Sequence, residues 1–211
     1  MLALPYKRFL FRFDGDFSIN EKPLILEKTE PRDSNMSVNG DTGCAVWDAA
    51  IYLAKFLDSN PLLVENKKIL ELGSGLGLCG IACAHIGAKK ITMTDLDYIL
   101  PTTLTNVARN NVSGKVEDKH LDWNECICDT LGEIDLIIAS DTVWISSLVD
   151  SFANVILESI RRNPDAQILI SNQKRSEVVW KRFEEIVSPI LDCRMIQNEA
   201  YLELYLLKRS H

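Results

Sequence analysis

No stretch of this 211-residue chain approaches the run of about 18 apolar residues that a membrane-spanning helix needs, so a helical span is set aside. Histidine is scarce: His85, His120 and His211 are the only three, and none stands with cysteine or carboxylate at a ligand spacing. No metal site is expected. The six cysteines do not read as a disulfide framework, since Cys79, Cys83 and Cys193 sit among core-type residues and Cys126-Ile127-Cys128 is too closely spaced for zinc. Positive charge is also in deficit, 23 Lys and Arg against 30 Asp and Glu. The resulting net charge of −7 argues against a nucleic-acid partner, because phosphate binding depends on a positive surface and counterion release. The pairs Arg161-Arg162, Lys174-Arg175 and Lys181-Arg182 read as solvated helix ends rather than as a basic patch. The order of basic then apolar residues that marks a secretory leader is absent from Met1 to Arg8. An intracellular chain is expected, cytoplasmic with the nucleus as the alternative, and working as a monomer.

What is present is enough to build a core. The composition, 46% hydrophobic and 25% charged, is that of a globular chain, and its length suits one domain. Residues 1–46 hold short extended pieces, Arg8 to Phe13 and Pro23 to Glu27, then a polar connection from Glu30 to Asp41; they read as an N-terminal arm or hairpin. Residues 47–211 form the main domain. Trp47, Ala50, Ile51, Ala54 and Leu57 share one helical face. Strand-like segments then alternate with helical ones, the pattern of a parallel sheet with helices on both faces. The strands are expected at Lys68 to Leu72, Lys90 to Thr94, Val116 to Leu121, Ile134 to Ser140 and Gln167 to Ser171. The helices are expected at Leu78 to Ile86, Leu100 to Asn110, Ser147 to Ile160 and Ser176 to Val187, with Ser147 and Asp150 spaced as a capping box. Two last extended runs, Cys193 to Gln197 and Tyr201 to Lys208, are too close together for a parallel crossover and specify an antiparallel hairpin. The expected fold is a Rossmann-like α/β sheet of seven strands, mostly parallel and closed by that hairpin, with helices on both faces.

In such a sheet ligands bind beyond the carboxyl ends of the strands, so the residues just past each strand carry the functional signal. After the first strand the chain reads Glu71-Leu72-Gly73-Ser74-Gly75-Leu76-Gly77-Leu78-Cys79-Gly80. Glycines at alternate positions let the backbone turn sharply and approach a ligand, and the helix that follows points free N–H groups at it. After the second strand comes Thr94-Asp95-Leu96-Asp97, with Asp95 placed 22 residues beyond Gly73, where a carboxylate would accept from both hydroxyls of an adenosine ribose. The later strands are followed by Asp122-Trp123 and by Ser140-Asp141-Thr142-Val143-Trp144. A dinucleotide fold shares the glycines and the acid, and Gly75 to Gly80 even satisfies G-x-G-x-x-G. Two features favour S-adenosylmethionine. In the register set by Gly73, Gly75 and Gly77, the place of the third dinucleotide glycine is Leu78; and Trp123 offers a face for adenine in a chain with no room for a hydride-acceptor domain.

Five segments also resemble one family: Thr42 to Ala50, Glu71 to Gly77, Thr94-Asp95-Leu96, Leu121-Asp122-Trp123 and Ala139-Ser140-Asp141. Together they are similar to the seven-β-strand protein lysine methyltransferases of methyltransferase family 16, in the valosin-containing-protein lysine methyltransferase group. The first and last segments are not general nucleotide-fold features. The resemblance implies transfer of a methyl group from S-adenosylmethionine to a lysine ε-amine of a non-histone protein. It implies cofactor contacts from Trp47, Gly73, Ser74, Gly75, Asp95, Trp123 and Ser140; Glu71 and Leu96, in the same segments, are expected to join them, and Asp141 and Trp144 are the candidate catalytic residues. The family pattern Asp-x-x-Tyr here reads Asp141-Thr142-Val143-Trp144, which keeps an aromatic wall and removes a phenol hydroxyl. Asp141 is expected to receive and align the amine, with Trp144 offering a π face. A small-molecule N-methyltransferase, another protein nucleophile, or a non-catalytic cofactor-binding module stand as alternatives.

Overall fold

The computed structural model describes residues 17–27, 42–125, 132–173 and 175–210. The expected strand at Arg8 to Phe13, the connection from Glu30 to Asp41, Cys126 to Cys128 and Lys174 lie outside them.

The centre of the molecule is a seven-stranded sheet in the order β5-β4-β3-β6-β7-β9-β8. Its strands are β3 (Lys68–Leu72), β4 (Lys90–Asp95), β5 (Val116–His120), β6 (Leu136–Ser140), β7 (Gln167–Gln173), β8 (Leu191–Glu199) and β9 (Leu202–Arg209). β3 to β7 pair in parallel, and β9 lies antiparallel between β7 and β8. Near-continuous apolar composition suits the central strands to burial on both faces. In β3, Ile69 faces one cluster with Leu53, Ile81, Met93 and Val107, while Leu70 and Leu72 face another with Phe152, Ile156 and Phe183. The helices α1 (Asp48–Ser59), α2 (Leu78–Ile86) and α3 (Leu100–Arg109) contribute to the first cluster; α4 (Val149–Arg162) and α5 (Glu177–Val187) cover the second. Strand alternation therefore puts Glu71 on the side of α2.

The chain starts the sheet at β3, moves outward through β4 and β5, then returns to place β6 on the other side of β3. That reversal is the switch point at which an open α/β sheet leaves a crevice beyond its strand ends.

Differences from the expected elements have local causes. The Ser147–Asp150 capping box does not form: α4 starts at Val149, its cap position Leu148 makes no side-chain bond, and Asp150 instead receives Arg182 of α5. Ser176 does cap α5, accepting from the Val179 N–H at 3.3 Å. The closing hairpin is longer than expected, with Glu199 paired to Leu202 across a turn in which Ala200 has φ 55°, and an irregularity between Met195 and Gln197.

Near the N-terminus, β1 (Ser18–Ile19) and β2 (Lys22–Pro23) form a small hairpin whose turn residues Asn20 and Glu21 both have positive φ. Phe17, Ile19 and Leu24 are buried against α1 and α2 in the first cluster. Beyond it, the backbone of Glu27 is held by the Asn106 amide of α3 and that of Ile25 by the amide of Asn110, which follows the end of α3. Among the described residues no helix is long and apolar enough to cross a membrane.

Candidate active site

All the residues singled out from the sequence line one cavity of about 230 Å³ at the carboxyl rim: Trp47, Glu71, Gly73, Ser74, Gly75, Asp95, Leu96, Trp123, Ser140, Asp141 and Trp144. The sheet topology explains why they meet. β3, β4, β5 and β6 are adjacent parallel strands, so their carboxyl ends, and the turns that follow, open on the same side.

The loop after β3 forms the floor. Gly73 has φ +68°, and a Cβ there would sit 3.2 Å from the Trp123 ring and 3.3 Å from Thr142 Cγ2, so no side chain fits without moving the cavity wall. The loop is pinned from several sides. Asp95 Oδ2 accepts from the Gly75 N–H at 2.8 Å and its Oδ1 from the Leu96 N–H at 2.8 Å. Thr103 Oγ1 donates to the Gly75 carbonyl, and the Asn106 amide to that of Leu76. Asp95 is thus not a cap for α3, which begins five residues on; two of about four carboxylate acceptor positions remain open to a ligand. Burial raises its pKa from the ordinary aspartate value, an effect opposed by the two backbone donors.

Glu71 lies beneath the loop, fully enclosed, and accepts from the Gly80 N–H at 3.0 Å. Burial pushes its pKa up to about 8, against the pull of that hydrogen bond and with a smaller push from Asp95. Gly80 is required by this close approach, because any side chain would run into Met93 and Glu71.

Trp123 covers one wall, with its ring tilted against Phe152 at 4.8 Å. Trp47 covers another, with its indole N–H donating to the Thr42 carbonyl at 2.8 Å. Ser140 and Cys79 meet at 3.9 Å, and Cys79 was not among the expected site residues. The hydroxyls of Ser74 and Thr142 are buried in this cavity and have no hydrogen-bond partner among the described residues. Two orphaned hydroxyls in a polar crevice are available to a polar ligand.

Asp141 directly follows β6 in the left-handed region, φ +56°, with its N–H donating to the Ser171 carbonyl at 2.8 Å. Its carboxylate is not free: Arg175, just past β7, donates to both oxygens. Arg175 was expected on a solvated helix end, yet its side chain is only 15% exposed and lies over both Trp47 and Trp144. The signal that finds it is the strand-end argument, applied to β7 as it was to the other four strands.

The lining of the cavity is rich in acid, with Arg175 behind it offsetting Asp141 and burial keeping Glu71 largely protonated near neutral pH. Four carboxyl groups line it, those of Glu71, Asp95, Asp122 and Asp141, and among the described residues no lysine or arginine does. Among the described residues no cluster of histidine, cysteine and acidic side chains is arranged to hold a metal.

A parallel sheet closed by an antiparallel hairpin, with a glycine loop and an acidic crevice at the switch point, defines the Rossmann-like methyltransferase fold. Solved structures bear this out at the level of fold. The chain superposes on a ribosomal protein L11 methylase from Lactobacillus delbrueckii with a TM-score of 0.58, at 17% identity over 77% of this chain and 78% of that one. It superposes on TrmN from Thermus thermophilus with a TM-score of 0.59, at 16% identity over 76% and 48%. Residues 30–188 match the model of the lysine methyltransferase family, methyltransferase family 16, and the chain belongs to that family. Among its curated relatives are the protein-lysine N-methyltransferase EFM3 of Chaetomium thermophilum, 29% identical over 77% of this chain and 51% of that protein, and EEF2KMT of Mus musculus, 31% identical over 70% and 49%. The histone-arginine methyltransferase METTL23 of Rattus norvegicus is 29% identical over 79% of this chain and 74% of its own length. The chain spans about half the length of EFM3 and of mouse EEF2KMT.

Proposed function

We propose that this chain is an S-adenosylmethionine-dependent methyltransferase acting on a lysine ε-amine of a non-histone protein. The observation that carries the reading is the charge of the crevice. S-adenosylmethionine brings an ammonium and a sulfonium, which suit a cavity where Asp95 and Asp122 have no ion-pair partner among the described residues, Asp141 being balanced by Arg175 and Glu71 held largely protonated by burial; a dinucleotide brings an anionic pyrophosphate, which suits it less. The relatives named as protein-lysine methyltransferases support the lysine acceptor.

When bound, the cofactor supplies an electrophilic methyl carbon on a sulfonium sulfur. Asp95 keeps open acceptor positions for ribose hydroxyls, Trp123 and Leu96 face the space suited to an adenine, and the unpartnered hydroxyl of Ser74 and the acid of Glu71 are available to the amino-acid end. Ser140, Asp141 and Trp144 bound the side from which an acceptor enters. The protein's main task is positioning, since methyl transfer needs an unprotonated nucleophile in line with the breaking bond. Freeing a lysine amine of ordinary pKa about 10.4 near neutral pH costs roughly 4–5 kcal/mol, a cost that desolvation beside a cation lowers.

The first prediction is direct. Incubation with radiolabelled S-adenosylmethionine and a cell extract should yield a labelled protein band whose acid hydrolysate contains methyl-lysine. Methyl-arginine would assign instead an arginine acceptor, a second reading that the name of METTL23 favours. A labelled small molecule, or no label despite measurable cofactor binding, would replace both with the small-molecule enzyme or the non-catalytic module.

A further inference from the structure

The carboxylate of Asp141 is nearly saturated. The Arg175 guanidinium forks onto it, Nη1 to Oδ1 and Nη2 to Oδ2 at 2.6 Å, and the Gln173 N–H adds a donor to Oδ1 at 3.2 Å. A carboxylate offers about four acceptor positions, so about one remains. The guanidinium also lies 5.2 Å from the Trp47 ring centre and 5.9 Å from that of Trp144. The negative charge and the π faces that would greet an ammonium are therefore already taken up by a cation of the chain itself.

Displacing that cation is unfavourable. The Asp141 side chain is 3% exposed, and removing one partner from a buried, bidentate pair leaves an uncompensated buried charge. A reactive amine is uncharged and brings nothing that would balance Asp141 in exchange. The pair is also held from behind: the Asn172 amide bridges to both backbone groups of Val143, at 3.3 Å from its N–H and 2.8 Å to its carbonyl. This fixes the 141–144 turn on the 172–175 segment.

We propose that Arg175 is the charge-balancing, positioning residue of the acceptor site, so that the acceptor nitrogen meets a neutral Asp141–Arg175 pair and is taken up as the free amine. The proposal rests on the methyltransferase reading above. The other charges around this point are Glu71 from β3, Asp95 from β4 and Asp122 beyond β5; Asp48, beside Trp47, is turned toward the hairpin, where it accepts from the Tyr201 hydroxyl at 2.7 Å. None of these pairs with Arg175 through an ion pair, and Asp141 does.

The test compares two probes of nearly equal shape, cationic S-adenosylmethionine and uncharged S-adenosylhomocysteine, by calorimetry. In Arg175→Gln the bare Asp141 carboxylate should raise affinity for the cation relative to the thioether several-fold. A residue that only held the fold together would move both affinities alike. Arg175→Lys, which keeps the charge, should hold the ratio near the wild-type value. Asp141→Asn, which leaves the guanidinium unbalanced, should move the ratio several-fold the other way, and Asp141→Asn/Arg175→Gln should restore it; these two variants decide the matter if Arg175→Gln does not fold. In label transfer to a protein acceptor, Arg175→Gln should lower kcat at neutral pH without raising KM and regain rate as pH rises. An unchanged affinity ratio in the folded variants overturns the proposal. A wild type that binds neither probe removes the reading beneath it, a result distinct from equal binding throughout.

Discussion

At the scale of single residues, Glu71 carries the sharpest pH dependence. Its folded pKa, about 8, lies above the ordinary glutamate value of 4.5 because burial disfavours the anion. Between those two values the unfolded chain has lost a proton that the folded chain still holds. Stability must therefore fall as pH rises through that window, by up to about 1.4 kcal/mol per unit, and the penalty stays constant above it. Glu71→Gln keeps an acceptor for the Gly80 N–H and removes the titration. Apart from a constant offset, its melting temperature should gain on the wild type between pH 5 and 8; parallel curves would show that Glu71 is ionised throughout. Much of the site was legible at this scale, because Asp95 and Ser140 are the last residues of β4 and β6, and Trp123 and Asp141 lie within three residues of the ends of β5 and β6. Arg175 was not. It stands beside Lys174 in a charged doublet, which in isolation reads as a solvated end, and its partner lies 34 positions away in the chain.

At the scale of elements, α3 joins the N-terminal arm to the glycine loop through one side chain. Asn106 is fully buried; its amide N–H donates to the carbonyls of Leu76 and Glu27, and its oxygen accepts from the Glu27 N–H at 2.6 Å. Asn110 holds both backbone groups of Ile25 in the arm and also donates to the Asn106 carbonyl, and among the described residues it makes no bond to the glycine loop. Unpaired buried polar groups cost about 1–3 kcal/mol each, so Asn106→Ala should destabilise the fold by roughly 2–4 kcal/mol in urea unfolding. It should also weaken S-adenosylhomocysteine binding, because the loop carbonyl loses its donor. Asn110→Ala should destabilise comparably and leave that affinity within about twofold. Equal effects of both on affinity would refute the separation of roles. The arm was legible only in outline: Pro23 to Glu27 reads as extended, but an asparagine within a helical window reads as a solvent-facing residue until its distant partners are known. The failed capping box has the same origin. Asp150 finds Arg182 on the neighbouring helix, and no local pattern announces a partner from another element.

At the scale of the molecule, the alternation of strands and helices and the terminal hairpin were readable because periodicity and connection length act locally. The strand order was not, since the return of β6 to the flank of β3 depends on which strands pair. That return creates the crevice, and its four carboxyl groups come from the ends of four strands that periodicity alone leaves unordered. The assembled charge makes the last prediction a property of the whole fold. A ligand present at 100 times its dissociation constant stabilises the native state by about 2.7 kcal/mol. For a chain of this size each kcal/mol raises the melting temperature by roughly 2–4 °C. Saturating S-adenosylmethionine or S-adenosylhomocysteine should therefore lift the transition by about 5–11 °C. NAD at the same concentration should leave it unmoved, because its pyrophosphate would lie near Asp95 and Asp122, which have no ion-pair partner among the described residues. The sulfonium and the thioether should both act, since ribose and adenine recognition does not depend on the charge at sulfur. A shift with NAD and none with either adenosyl compound would reassign the crevice to dinucleotide chemistry, and with it every role given above to Asp95, Trp123 and Asp141.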